Sequence, residues 1–580
     1  MRILKKILTW IAVSFTALWV LLLVGLLLAG VFHEPVKKNS VLRVVLTGSF
    51  SEREAPRFSS LLGGTESVSL RALTESIRSA ATDPRIKGLV LEVQQPELSA
   101  AGITELEEAM AVFRQSGKWN TAYLESAGEL SPGDGEYAAA LTASRVILSP
   151  AGEINLAGVR IIVPFFKNAL DKLEVEPFVA KRGDYKTAPN SFTHTGFTAA
   201  HKEELKGLAD DIAGILVDHI AARRQVDVAA VRGWMSSGPQ TAEVALQQKM
   251  VDELAYFDQV RDAARAASGR DDSFVSLSTY ARARRIHQSG PRVALIVGEG
   301  TIHRGKSSSP LTGDADMGSD TIVRAFRDAR DQKVAGILFR VDSPGGSYVA
   351  SDVIRREVEL TRQKKIPIVV SMGHYAASGG FFVSLGADRV VADPGTITGS
   401  IGVFAASLAT RRFWNMLGVT FDEYQSAPEA VALDFLDAPK GRERTALEAD
   451  VDRIYKDFVG KVAKARGKTY DDIHAVAQGR VWSGRSALAH GLVDELGGAE
   501  VALARLKELA GIPKGGDVTL VELPEPEGPL AMVQEVLSAR ARAEVRLPGE
   551  LGRAASALSR VLAAPGDHLL SLPPGLEVRF

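Results

Sequence analysis

Between residues 41 and 512 the chain passes twice through the same series of segments, and this limits its fold more than any other feature. Pro291-Arg292-Val293-Ala294-Leu295-Ile296-Val297 repeats the apolar run Val41-Leu42-Arg43-Val44-Val45-Leu46. Asp331-Gln332-Lys333-Val334-Ala335-Gly336-Ile337-Leu338 repeats Asp83-Pro84-Arg85-Ile86-Lys87-Gly88-Leu89-Val90. Arg389-Val390-Val391 before Pro394 repeats Arg145-Val146-Ile147 before Pro150, and Val493-Asp494-Glu495-Leu496 repeats Val251-Asp252-Glu253-Leu254. The offset stays at about 240–250 residues, far beyond the roughly 20–50 residues of a solenoid repeat, so a whole domain is duplicated in tandem.

Each copy alternates two periodicities. In the first, strands are expected at 41–46, 86–93, 119–124 and 145–149, with helices at 69–80, 103–116 and 135–143 and a helix-rich stretch over 198–268. Strands alternating with helices predict an α/β fold with largely parallel pairing. The expected organisation is an N-terminal segment over 1–40, a first domain over 41–268, a connector over 269–290, a second domain over 291–512 and a tail over 513–580. The tail is rich in Pro, Gly, Ala and Arg, with a helix expected at 529–543 and no motif.

Ile7 to Phe32 carries no ionisable side chain and follows Arg2, Lys5 and Lys6. Its length is enough for a bilayer core of ~30 Å, and it exceeds the apolar region of a cleavable signal. The expectation is one transmembrane helix, with the N-terminus in the cytoplasm and residues 34 onward outside. The formal net charge of −1 argues against a nucleic-acid partner. The absence of cysteine excludes disulfides, thiolate-ligated zinc and a thiol nucleophile.

The duplication lets each copy serve as a control for the other. Ser378, in Ala377-Ser378-Gly379-Gly380, falls where a strand (365–370) hands over to a helix (381–385), a place where backbone N–H groups face a developing negative charge. The alternative is that Ser378 only caps that helix. Its counterpart is Asp134, so the fold does not require serine there. Asp342-Ser343-Pro344-Gly345-Gly346-Ser347 follows its strand, where the first copy has Gln94-Gln95-Pro96-Glu97-Leu98-Ser99 without glycine. Ser400 stands opposite Leu156. The reverse holds once: Lys186, in Asp184-Tyr185-Lys186-Thr187-Ala188-Pro189, stands opposite Gln425 in Glu423-Tyr424-Gln425-Ser426-Ala427-Pro428. One copy has the serine and the other the lysine, as expected of one active site divided between two lobes.

A serine hydroxyl needs a base to become a nucleophile. His374 is near in sequence but no orienting carboxylate is marked beside it, and position 376 is Ala, so no Gly-x-Ser-x-Gly elbow is present. A lysine serves if burial keeps it neutral. The expected site is therefore a Ser378–Lys186 dyad with Ser400 orienting the amine and the N–H groups of Gly379 and Gly346 forming an oxyanion hole. No metal and no cofactor is called for.

These residues, together with Thr398-Gly399-Ser400-Ile401-Gly402, Gly479-Arg480-Val481-Trp482 and Gly491-Leu492-Val493-Asp494-Glu495, resemble the signal peptide peptidase A family in its long, duplicated, membrane-anchored form. The resemblance covers residues 40–510. It implies a ClpP/crotonase-like α/β domain in each half and a serine protease with a Ser/Lys dyad. It also implies signal peptides and other hydrophobic peptides as substrates, a homotetramer, and a single-pass location in the bacterial inner membrane with the catalytic body on the periplasmic side. Two other readings compete. A non-catalytic membrane-tethered scaffold is opposed by the intact catalytic positions, and a crotonase-like acyl-CoA enzyme by the expected location outside the cytoplasm.

Overall fold

The computed structural model describes residues 36–53, 68–129, 131–271, 273–283, 289–308, 315–424, 426 and 436–525, together with residue 14 and the backbone of 569–571 and 578–579. Two sheets form the frame, one per copy. In the first, the strands run in the order 274–276, 40–49, 86–97, 119–124, 146–148 and 253–254, all parallel. In the second, the order is 519–523, 292–299, 336–343, 368–377, 389–392 and 495–496, again parallel. The two orders match strand for strand, so the duplication extends to the edge strands. The continuous apolar runs of these strands suit a parallel sheet covered by helices on both faces. Leu89, Val90 and Leu91 are buried in the first sheet, and Ile337, Leu338 and Phe339 in the second.

The boundaries differ from those expected. The connector assigned to 269–290 carries strand Phe274–Ser276, which closes the edge of the first sheet, and helix Leu277–Ala283. The tail assigned to 513–580 opens with its equivalent, Thr519–Leu523, on Arg292–Glu299. Both edge strands are short, and their partners lie more than 200 residues upstream. The strand expected at 365–370 continues to Ala377, because Tyr375 to Ala377 pair with Ile397–Gly399. The helix expected over 381–385 is one turn, Gly379–Phe382, followed by a 3-10 turn, Val383–Gly386. The helix expected at 529–543 lies outside the described residues.

The expected location requires correction. Among the described residues no helix is long and apolar enough to cross a membrane, so a single-pass anchor, and with it a place in the inner membrane with a periplasmic body, is not supported. The segment Ile7–Phe32 lies outside the described residues, apart from Ser14.

A third sheet joins the halves. Its order is 316–318, 301–303, 345–347, 569–571, 403–409 and 176–182. Strand Glu176–Arg182 of the first copy pairs antiparallel with Val403–Ala409 of the second over seven residues. A buried ion cluster joins them again. The Arg340 guanidinium is bidentate to Glu52 at 2.6 and 3.0 Å and lies 2.6 Å from Glu105, both from the first copy.

Candidate active site

Strand Ile368–Ala377 ends at Ser378, whose N–H donates to the Gly399 carbonyl at 2.8 Å. The Ser378 backbone takes φ 55° and ψ −111°, a conformation costly for a residue with a Cβ. Its side chain makes no capping bond to the one-turn helix that follows. The cap reading therefore fails. Instead Ser378 Oγ, fully buried, is hydrogen-bonded to Lys186 Nζ at 2.9 Å, across 192 positions of sequence.

The lysine is delivered by the strand that crosses between halves. After Arg182 the chain turns over Gly183 to Pro189, and Tyr185 N–H donates to the Gln478 carbonyl at 3.1 Å. Lys186 is 1 % exposed. Its Nζ also lies 3.0 Å from Ser400 Oγ and 3.2 Å from the Ser400 carbonyl oxygen. Ser400 is held at φ 50°, its N–H donating to Arg480 O at 2.7 Å. Burial pulls the ammonium down to about 7, against an opposing pull from Glu204.

Glu204 was not visible as a site residue in the sequence. It lies on helix Ala199–Arg224, buried in the stripe His201, Glu204, Leu205, Leu208, Ile212. An acid inside an apolar stripe is the one signal that marks it. Its Oε1 accepts from the Val481 N–H at 2.7 Å and its Oε2 lies 3.0 Å from Thr187 Oγ1. It thus ties the residue after Lys186 to the residue after Arg480, whose carbonyl holds Ser400. Burial pushes its carboxyl up to about 8.

Gly379 and Gly346 adjoin one another. A Cβ on Gly379 would lie 3.1 Å from Gly346 N and 2.7 Å from Ser351 Oγ. Gly346 has φ 154°, and a Cβ there would lie 2.0 Å from the Ile302 carbonyl oxygen. Only glycine lets the two backbones meet this closely beside Ser378.

His374 takes no part in this arrangement. It is half-buried near the end of its strand, and desolvation pushes its imidazole down to about 4, so it is uncharged near neutrality. Among the described residues Lys186 is the only side chain hydrogen-bonded to Ser378 Oγ. In the first copy the matching corner is closed. The Asp134 carboxylate accepts the N–H groups of Ala157 at 2.9 Å and Gly158 at 3.0 Å. Gln425, opposite Lys186, lies outside the described residues. Among those residues no group of three or more His, Cys, Asp or Glu is arranged to hold a metal ion.

Comparison with known proteins matches the model of peptidase family S49 to residues 114–270 and 360–513, one stretch in each copy. The chain belongs to peptidase family S49. Family members similar to it include Protease 4 of Salmonella typhi, 33% identical over 461 residues, which span 76% of this chain and 72% of that protein. Another is the chloroplastic serine protease SPPA of Arabidopsis thaliana, 29% identical over 502 residues, 85% of this chain and 72% of that protein. This S49 chain is accordingly a serine protease of the SppA kind. Similar solved structures include ClpP1 from Listeria monocytogenes, at TM-score 0.22 and 16% identity, covering 35% of this chain and 89% of that one. A point mutant of the 1510-N membrane-bound stomatin-specific protease has TM-score 0.26 and 16% identity, covering 41% of this chain and all (100%) of that one.

Proposed function

We propose that this serine protease is an endopeptidase with Ser378 as nucleophile and Lys186 as general base. The observation that carries the reading is the contact set of Lys186 Nζ: Ser378 Oγ, Ser400 Oγ and Ser400 O, at 2.9, 3.0 and 3.2 Å. A neutral amine has two N–H groups and one lone pair. Ser400 supplies two acceptors, which leaves the lone pair for the Ser378 hydroxyl proton. Burial favours that neutral form near pH 7.

Lys186 takes the proton as Ser378 Oγ adds to the scissile carbonyl. The resulting oxyanion faces the N–H groups of Gly379 and Gly346. Collapse breaks the C–N bond, the Lys186 ammonium returns its proton to the departing amine, and an ester on Ser378 remains. A water molecule, deprotonated by Lys186, attacks that ester and releases the acid product and the serine hydroxyl.

Signal peptides and other hydrophobic peptides are the proposed substrates, on the resemblance of the motifs. A homo-oligomer, a tetramer by the same resemblance, is the proposed assembly.

The test is cleavage of a quenched apolar peptide by Ser378→Ala and by Lys186→Ala. Both are expected to lose at least about a thousand-fold in kcat/KM while keeping the wild-type circular dichroism. Cleavage at wild-type rate by either folded variant rejects the dyad, and an inactive wild type across apolar peptides favours the scaffold reading.

A further inference from the structure

The side chains of Gly479-Arg480-Val481-Trp482 take no part in the chemistry, yet this segment of the second copy lies along the turn that carries Lys186. Gln478 O accepts the Tyr185 N–H, Gly479 abuts the Lys186 backbone, and Val481 N–H donates to Glu204. Arg480 reaches the same turn with its side chain. Its guanidinium carbon lies 4.8 Å from the centre of the Tyr185 ring and 4.4 Å from that of the Trp482 ring. The Trp482 indole N–H donates to the Val476 carbonyl at 2.9 Å, which fixes that ring to the second copy. Glu203 closes the group: its Oε1 accepts from Arg480 Nη1 at 2.9 Å, and its Oε2 from the Tyr185 hydroxyl at 3.0 Å. The Arg480 carbonyl meanwhile accepts the Ser400 N–H at 2.7 Å. Through its side chain Arg480 thus touches the neighbour of Lys186, and through its backbone the residue that accepts from the Lys186 amine.

Contacts of this kind add little to stability, because an ion pair with an exposed carboxylate is screened and a cation over a part-exposed ring is still hydrated. Their effect on placement is larger. A shift of about 1 Å at a reacting group can cost about a hundred-fold in rate. We propose that Arg480 is a positioning residue, whose contact with the Tyr185 ring keeps the Lys186 amine between Ser378 Oγ and Ser400 Oγ. The proposal rests on the active-site reading above. Arg480 acts through Lys186 and not on the substrate, so its loss falls on kcat and not on KM.

The test uses the full chain and a quenched apolar peptide. Arg480→Ala and Tyr185→Ala should each lower kcat about thirty-fold, with KM within about two-fold and little change in the unfolding midpoint. Tyr185→Phe keeps the ring and loses only the hydroxyl bond to Glu203, so it should restore kcat to within about two-fold of wild type. The Arg480→Ala, Tyr185→Ala double variant should lose no more than either single one, because both remove the same contact. Placement is also read without cleavage. In the Ser378→Ala background, Arg480→Ala should speed amide hydrogen exchange over residues 183–189 and leave residues 86–97 unchanged. Wild-type kcat in Arg480→Ala, where Lys186→Ala is inactive, overturns the proposal. So do losses that multiply in the double variant, an equal loss in Tyr185→Phe, or unchanged exchange over 183–189. Cleavage by Lys186→Ala at the wild-type rate rejects the dyad, and with it any action of Arg480 through Lys186. Faster exchange over 183–189 in that case shows that the contact holds the turn and that the dyad alone has failed.

Discussion

Gly479 presses against the backbone of Lys186: a Cβ at residue 479 would lie 2.5 Å from both the N and the Cα of the lysine. Gly479 also has φ 86°, and its N–H donates to the Ile401 carbonyl at 2.8 Å. The glycine of the second copy thereby seats the lysine of the first against Ser400 and Ser378. Gly479→Ala has to push the lysine backbone away and also adopt a left-handed conformation. Its kcat should fall about a hundred-fold, with a loss of about 1–3 kcal/mol in stability. Steady-state kinetics beside thermal unfolding check this, and wild-type kcat in the variant would show that the contact does not position Lys186.

The pH dependence follows from the buried amine. Lys186 is a base only when uncharged, and burial sets its midpoint at about 7. The kcat/KM should rise ten-fold per pH unit below that value and level off above it. A profile flat from pH 5 to 9 would exclude a titrating base of this kind.

Glu204 bears on this limb in two ways, through its hydrogen bonds to Val481 and Thr187 and through its charge, which opposes the downward shift of Lys186. Burial pushes its carboxyl up to about 8, so the acid and the Lys186 amine titrate in the same range. Glu204 accepts from both the Val481 N–H and the Thr187 hydroxyl; an uncharged glutamine keeps the Val481 bond through its carbonyl oxygen and turns its amide N–H toward Thr187 Oγ1. Glu204→Gln should keep kcat within about three-fold and move the acid midpoint down, because the charge that opposes the shift of Lys186 is gone. Glu204→Ala should lose about ten-fold in kcat and about 2 kcal/mol in stability, because the Val481 N–H is left without a partner. An unchanged midpoint in Glu204→Gln would show that Glu204 carries no charge where Lys186 titrates.

Burying a lysine costs stability. Its folded value, about 7, lies below the ordinary 10.5. Between those values the unfolded chain binds more protons, so this residue's contribution becomes less unfavourable as pH rises from 7 to 10.5. Below pH 7 the full cost applies. Lys186→Met should therefore be inactive yet more stable by about 1–4 kcal/mol at pH 6. That gain should shrink as pH approaches 10.5. Chemical denaturation at pH 6, 8 and 10 measures it, and a destabilised variant at pH 6 would contradict the assignment.

Arg340 is the cation between Glu52 and Glu105, all three buried. Arg340→Leu leaves two carboxylates of the first copy facing an apolar side chain. A loss of about 3–5 kcal/mol is expected, read as a lower unfolding midpoint. A loss below about 1 kcal/mol would mean that the halves are held by other contacts.

Much of this was legible along the chain. The duplication, the parallel α/β pattern and the complementary losses, of the serine at Asp134 and of the lysine at Gln425, are patterns of residue type at fixed spacing, and spacing is written in sequence. The edge strands Phe274–Ser276 and Thr519–Leu523 were not legible. Strands of three and five residues have too little period to read, and their partners are set by the whole sheet. Glu204 stayed hidden for a related reason, since Val481 lies 277 residues away.

By itself the sequence determined which residue types are available: one serine at a strand-to-helix corner, one lysine in the other copy, and glycines where backbones have to meet. Only the tertiary structure decided that the serine and the lysine lie within hydrogen-bond reach of one another. The crossing strand Glu176–Arg182 carries Lys186 into the second half, and packing removes water from around its amine. A lysine is a base near neutral pH because of that lost hydration, which is a property of the folded surroundings and not of the residue.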